Sequence, residues 1–150
     1  MDTFKNLGHI AVRVKDLQRS LDFYGKCGFK EMTRLLDDKG RPWIVYLRIN
    51  DEQYLELFPE GEGDWAPTGK GVGIFHICLT VDDLDAAEAR LAKNGVALSR
   101  PRNPGRGIDH NRGMWIADPD GNQIEIMEMA PNCIQNQAIE RLRKEAAAVK

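Results

Sequence analysis

The sequence has no apolar run approaching the roughly 18 residues of a membrane-spanning helix, which excludes a helical span. Its opening, Met1-Asp2-Thr3-Phe4-Lys5-Asn6, lacks the apolar stretch of a secretory signal, so the expectation is a cytoplasmic protein. Neither sign of charge is in excess. The 21 Lys and Arg residues face 23 Asp and Glu, and a formal net charge of -2 offers no general attraction to nucleic acid or to a membrane surface. Cysteine is scarce: Cys27, Cys78 and Cys133 make neither an even disulfide set nor a C-x-x-C metal pair, and are read as reduced thiols that behave as small hydrophobes. A chain of 150 residues leaves no room for a third domain; it can form one ordinary domain, or two small units that share a core.

What the sequence does contain is a repeat. Gly8-His9-Ile10-Ala11-Val12-Arg13-Val14-Lys15-Asp16-Leu17 aligns with Phe75-His76-Ile77-Cys78-Leu79-Thr80-Val81-Asp82-Asp83-Leu84 at an offset that also carries Gly28 onto Gly95. Tyr54-Leu55-Glu56-Leu57-Phe58 matches Gln123-Ile124-Glu125-Ile126-Met127 after two extra loop residues. Each half thus brings one His and one Glu.

Local patterning shows what each half is. Ile10, Val12 and Val14 alternate with His9, Ala11 and Arg13, the period of a strand with one face buried. A helix then starts after Asp16, carries Leu17, Leu21 and Tyr24, and stops at Gly28; its counterpart follows Asp83, carries Leu84, Ala87 and Leu91, and stops at Asn94-Gly95. Strands are expected at about 29–35, 43–47 and 54–58, and again at about 96–100, 114–117 and 123–127, with Asp118-Pro119-Asp120-Gly121-Asn122 as a tight turn. The expected fold is α+β: two tandem βαβββ modules, at about 5–60 and 74–130, whose curved mixed sheets form a metal-binding cleft. A Gly- and Pro-rich linker at 61–73 joins them. A C-terminal helix at about 133–150, with Ile134, Ala138, Leu142 and Ala146 on one stripe, packs on the body or on a second subunit.

Side chains two apart on a strand share a face, so His9 with Arg13, His76 with Cys78, Glu56 with Tyr54 and Phe58, and Glu125 with Gln123 and Met127 form four polar faces. An isolated Glu among Leu55, Leu57, Ile124 and Ile126 would be costly without a compensating partner, and all four candidates recur at matched places. His9, Glu56, His76 and Glu125 are therefore the expected ligands of one divalent metal ion. Two imidazoles and two carboxylates suit Zn, Ni, Co, Mn or Fe(II) rather than calcium or a thiolate-preferring ion.

The run from Arg13 to Tyr24 after His9, together with Asp118-Pro119-Asp120-Gly121-Asn122-Gln123-Ile124-Glu125, resembles the vicinal oxygen chelate superfamily and, within it, glyoxalase I, over about residues 7–130. The resemblance implies paired βαβββ modules, a metal on the same four residues and commonly a homodimer, sometimes with modules exchanged between subunits. It also places Arg13 where glyoxalase I turns an arginine toward the glutathione carboxylate. One position departs: the asparagine that normally follows four residues after the first glutamate ligand is Glu60 here, and a carboxylate opposes an acidic peptide.

Four protein ligands in an octahedron leave two adjacent positions, enough for the two oxygens of a cis-enediolate, whereas ring-cleaving dioxygenation needs three. The expected activity is a lyase or isomerase reaction of the glyoxalase I type, with a 2-oxoaldehyde thiol hemithioacetal as substrate and with Glu125 and Glu56 as proton-shuttle candidates. An epimerase of the methylmalonyl-CoA type and a drug-sequestering protein of the bleomycin-resistance type are the alternatives. The segment from Ser99 to Arg112 holds four arginines and reads as a flap over a small anionic substrate, with Arg112 and His110 as contacts. Phe58 and Met114, with Trp43, Tyr46 and Met127, are expected to line the cavity.

Overall fold

The computed structural model describes residues 3–63 and 72–148, so the expected linker at 61–73 falls mostly outside the described residues. The described chain divides into two compact units. The first holds the residues up to 63 with Asn94–Val96 and Asp118–Asn122, and the second holds residues from 72 onward with those two segments left out.

In the first unit, β1 (His9–Arg13) leads into α1 (Leu17–Cys27), followed by β2 (Lys30–Leu36), β3 (Pro42–Arg48) and β4 (Tyr54–Phe58). The sheet order is β1-β4-β3-β2, with β1 and β4 parallel and the other pairs antiparallel. Helix α1 begins where Asp16, in an extended conformation, accepts a hydrogen bond from the Arg19 amide at 3.0 Å. It ends where Gly28, at φ 100°, turns its N–H back to the Gly25 carbonyl, a conformation that glycine adopts without the usual Cβ penalty. Tyr24 on α1 is buried against Phe29, and its hydroxyl donates to Asp118 at 2.9 Å. Burial, and then Asp118, hold this phenol well above its usual pKa. Asp118 in turn accepts from the amides of Asp120 and Asn122, which closes the Asp-Pro-Asp-Gly-Asn turn.

In the second unit, β5 (Ile77–Thr80), α2 (Leu84–Lys93), β6 (Arg112–Ala117) and β7 (Gln123–Glu128) give a three-stranded sheet ordered β5-β7-β6, and α3 (Ile134–Ala148) follows. Asp83 accepts from the Ala86 amide and Glu128 from the Leu84 amide, so the start of α2 is capped from two sides.

The strand expected at about 96–100 is absent, and the second module is βαββ. Only one backbone bond, from the Ser99 amide to the Trp115 carbonyl, survives of the pairing seen between β2 and β3. Pro101 and Pro104 follow at once and carry no N–H to extend a ladder, so the segment leaves the sheet as a loop.

Alternation sets the core of each unit. Leu55 and Leu57 are buried with Val45 and Leu47 in the first, and Ile124 and Ile126 with Met114 and Ile116 in the second. Each such side chain contributes on the order of 1.5–3 kcal/mol on burial. Helix α3 is different. It buries no residue, and Ile134 and Leu142 of its apolar stripe are exposed, as is Ile139 beside them. No helix among the described residues is long and apolar enough to cross a membrane.

Candidate metal and substrate site

The unburied parity of each sheet carries the polar residues. In the first unit the parallel register sets Ala11 opposite Glu56 and Arg13 opposite Phe58, and β3 sets Tyr46 on the other side of Glu56. His9 stacks on Tyr54 at 5.2 Å and brings Nε2 to 3.7 Å from Glu56 Oε2. The Tyr46 phenol is pushed up by desolvation and by Glu56 and Tyr54 beside it.

In the second unit the same construction recurs with tighter packing. Cys78 and Trp115 flank Glu125 across the two ladders, and His76 Nε2 lies 3.2 Å from Glu125 Oε2. The edge of the His76–Trp115 pair closes to 4.8 Å, and His76 Nδ1 is buried without a hydrogen-bond partner among the described residues. Desolvation, and then Glu125, push the Cys78 thiol up to about 12, so it is a protonated donor to that carboxylate rather than a nucleophile. Gly113 faces the same carboxylate. A Cβ there would lie 3.3 Å from Glu125 Oε1, so the missing side chain leaves the carboxylate its place.

The separations of both pairs bear on metal binding. Two donors about 2.1 Å from one cation, at roughly 90–110° to each other, lie about 3.0–3.4 Å apart. The His76–Glu125 separation is already in that range, and the His9–Glu56 pair needs a closure of a few tenths of an ångström. Neutral imidazole nitrogen and carboxylate oxygen are the right chemistry for a borderline divalent ion. Among the described residues, no group of three or more His, Cys, Asp or Glu side chains is arranged to hold a metal ion. Each unit brings one imidazole and one carboxylate together.

The other expected residues are distributed unevenly. Arg13 stays on the face of Glu56, over the Phe58 ring, with its guanidinium 3.4 Å from the Pro59 carbonyl and no carboxylate partner among the described residues. Glu60, at φ 61°, pairs with Arg41 at 3.3 Å, so its charge is partly neutralised. Arg112 and Met114 fall on the opposite parity of β6 from Trp115; Arg112 still lines the cavity that Glu125 borders, whereas Met114 does not. The Arg112 guanidinium is held by Asp85 at 2.7 Å and Glu128 at 3.0 Å, and Met114 is wholly buried opposite Ile126. His110, at φ 70°, rests its Nδ1 3.2 Å from the Asn132 carbonyl. Trp43 is more than half exposed.

The loop arginines are mostly engaged. Arg102 pairs with Asp85 and Glu88, and Arg106 donates to the His110 carbonyl. Arg100 is the exception: it meets no carboxylate among the described residues and lies over the Trp115 ring, 3.8 Å from its centroid. Sequence reasoning missed Trp115 and did not separate Arg100 from its neighbours. The missed signal was register, since Trp115 falls opposite Glu125 once the tight turn at 118–122 is counted through. The same loop walls a cavity of about 130 Å³ inside the second unit, between residues 103–113 on one side and Glu125 and Met127 on the other.

Residues 6–126 match the family model of the Glyoxalase/Bleomycin resistance protein/Dioxygenase superfamily. The chain is 31% identical over 124 residues to a lactoylglutathione lyase of Escherichia coli O157:H7, covering 80% of this chain and 90% of that one. It is 30% identical over 149 residues to a lactoylglutathione lyase of Pseudomonas aeruginosa, covering 83% and 82%. It is also 29% identical over 127 residues to the uncharacterized protein YaeR of Escherichia coli, covering 83% and 96%. Among solved structures, a glyoxalase family protein from Enterococcus faecalis superposes with a TM-score of 0.71 at 23% identity, covering 83% of this chain and 98% of that one.

Proposed function

The chain belongs to the Glyoxalase/Bleomycin resistance protein/Dioxygenase superfamily, and we propose that within it this protein is a metal-dependent lyase or isomerase of the glyoxalase I type. The observation that carries the reading is the recurrence of one His–Glu pair per unit at matched register, with donor separations of 3.7 and 3.2 Å. His9, Glu56, His76 and Glu125 would together hold one divalent ion. When bound, such an ion supplies Lewis-acid polarisation of the substrate oxygens.

The chain's own residues then have separate tasks. Glu125 takes the proton from the carbon beside the carbonyl and returns it to the neighbouring carbon, while Glu56 is its counterpart in the repeat. Glu125 is favoured as the base because it borders the cavity, and because the Cys78 thiol and the bare Gly113 define where its carboxylate sits. Arg13 and Arg100, each free of carboxylates among the described residues, would receive the anionic part of the substrate, with Phe58 beneath Arg13. The proposed substrate is a hemithioacetal of a 2-oxoaldehyde with an anionic thiol such as glutathione, and the similarity to two lactoylglutathione lyases supports that choice.

A homodimer is part of this reading, supported by the exposed Met32, Leu35 and Leu36 on the edge strand β2. In the epimerase alternative the loop arginines could meet the phosphates of coenzyme A, and the pairing of Arg102 and Arg112 with carboxylates speaks against that role.

The test is Glu125→Gln assayed on the methylglyoxal–glutathione hemithioacetal. Loss of a proton shuttle should cost roughly 10²- to 10⁴-fold in turnover, with the melting temperature of the metal-free protein unchanged. Near-normal turnover would refute the assignment.

A further inference from the structure

Helix α3 lies beyond the residues that match the family model, buries none of its side chains, and has no part in the proposed reaction. Its first turn is nonetheless tied to the cavity wall by a dense set of hydrogen bonds. Gln135 Nε2 donates to Asp109 Oδ2 at 3.1 Å, and Gln135 Oε1 accepts from Asn111 Nδ2 at 3.1 Å. Asn111 Nδ2 also donates to Asp109 Oδ2 at 2.8 Å, and Asn111 Oδ1 accepts from the Ala130 amide at 3.0 Å. The Ile134 amide donates to the Asp109 carbonyl at 3.2 Å. Asp109 and Asn111 line the cavity that Glu125 borders.

We propose that the first turn of α3 is a positioning element for this cavity, with Gln135 acting through Asp109 and Asn111 to fix the wall against which substrate is held. The inference rests on the proposed function in taking Glu125 to face substrate. Two features separate the latch from an ordinary helix anchor. No side chain of the helix is fully buried by its attachment, so the bonds hold the loop as much as the loop holds the helix. The loop, moreover, has Gly105 and Gly107 within it and a non-glycine residue, His110, in the left-handed region, so its path is not one that local preference would select.

Asn111 makes the wall specific. It is 4% exposed with both ends of its amide engaged, and a buried amide that loses a partner is costly, so the loop has one satisfied arrangement while Gln135 is in place. Without Gln135 the wall is a Gly-containing loop over an open cavity. Substrate would still reach Glu125 but would be held less tightly, an effect on KM rather than on the proton transfer.

The experiment compares the full-length protein with Gln135→Ala and with Gln135→Met, which keeps the length of the side chain but can neither donate to Asp109 nor accept from Asn111. Hydrogen–deuterium exchange, measured without substrate, should quicken about tenfold over residues 103–111 in Gln135→Ala while β6 and β7 stay protected. KM for the methylglyoxal–glutathione hemithioacetal should rise about tenfold with kcat within about twofold in both variants. Unchanged loop exchange in Gln135→Ala, or faster exchange with an unchanged KM, would overturn the proposal. Absence of turnover in the unaltered protein counts against the proposed function alone, because loop exchange still upholds or overturns the latch.

Discussion

Arg100 lies flat over Trp115, its guanidinium carbon 3.8 Å from the ring centroid, and Trp115 in turn abuts His76 at 4.8 Å. A cation with no carboxylate partner among the described residues is thereby set near the His76–Glu125 pair. Arg100→Ala should raise KM for an anionic hemithioacetal about tenfold, the scale of one charge-assisted hydrogen bond, and leave kcat within a few-fold. Steady-state kinetics at two ionic strengths checks this. Arg112→Ala should behave otherwise, lowering stability through Asp85 and Glu128 with little change in KM.

Met114 separates cavity lining from core. It is fully buried opposite Ile126, so Met114→Ala should cost about 2–5 kcal/mol in urea unfolding. Trp115→Leu, one position along on the other face, should cost less stability and more activity.

The acid limb of stability should report the Asp109 network. Hydrogen bonds from Gln135, and then from Asn111, hold the Asp109 carboxyl below its usual value. A depressed carboxylate stabilises the fold fully above its unfolded pKa of about 3.9, and that contribution fades as pH falls through the lowered folded value. Gln135→Ala should therefore have a lower urea midpoint than the unaltered protein at pH 7, and the gap should narrow below about pH 4. A gap independent of pH would contradict the assignment.

Much of this arrangement was legible in the residues. The repeat and its period-2 strands put His9, Glu56, His76 and Glu125 on the polar faces of their strands, while the pairing of His9 with Glu56 and of His76 with Glu125 comes from the ladders, and the helix limits at Asp16 and Gly28 follow from side-chain capping and from a left-handed C-cap, both local effects. What was not legible depends on register and on long-range pairing. The second half resembled the first closely enough to suggest a strand at 96–100, yet only the Ser99 amide pairs with β6, and Pro101 and Pro104 offer no N–H to carry a ladder further. The loop arginines looked free because their partners, Asp85, Glu88 and Glu128, lie 14 to 27 residues away in the chain. Met114 and Trp115 differ by a single position, and only the ladder with β7 shows which of them shares a face with Glu125.

The central claim, that two His–Glu pairs serve one divalent ion, is tested most directly by metal content. Protein purified without chelator should carry one divalent ion per chain by elemental analysis, and His9→Ala, Glu56→Gln, His76→Ala and Glu125→Gln should each weaken binding at least about tenfold. A folded protein that carries no ion, or one whose affinity survives the loss of either pair, would contradict it.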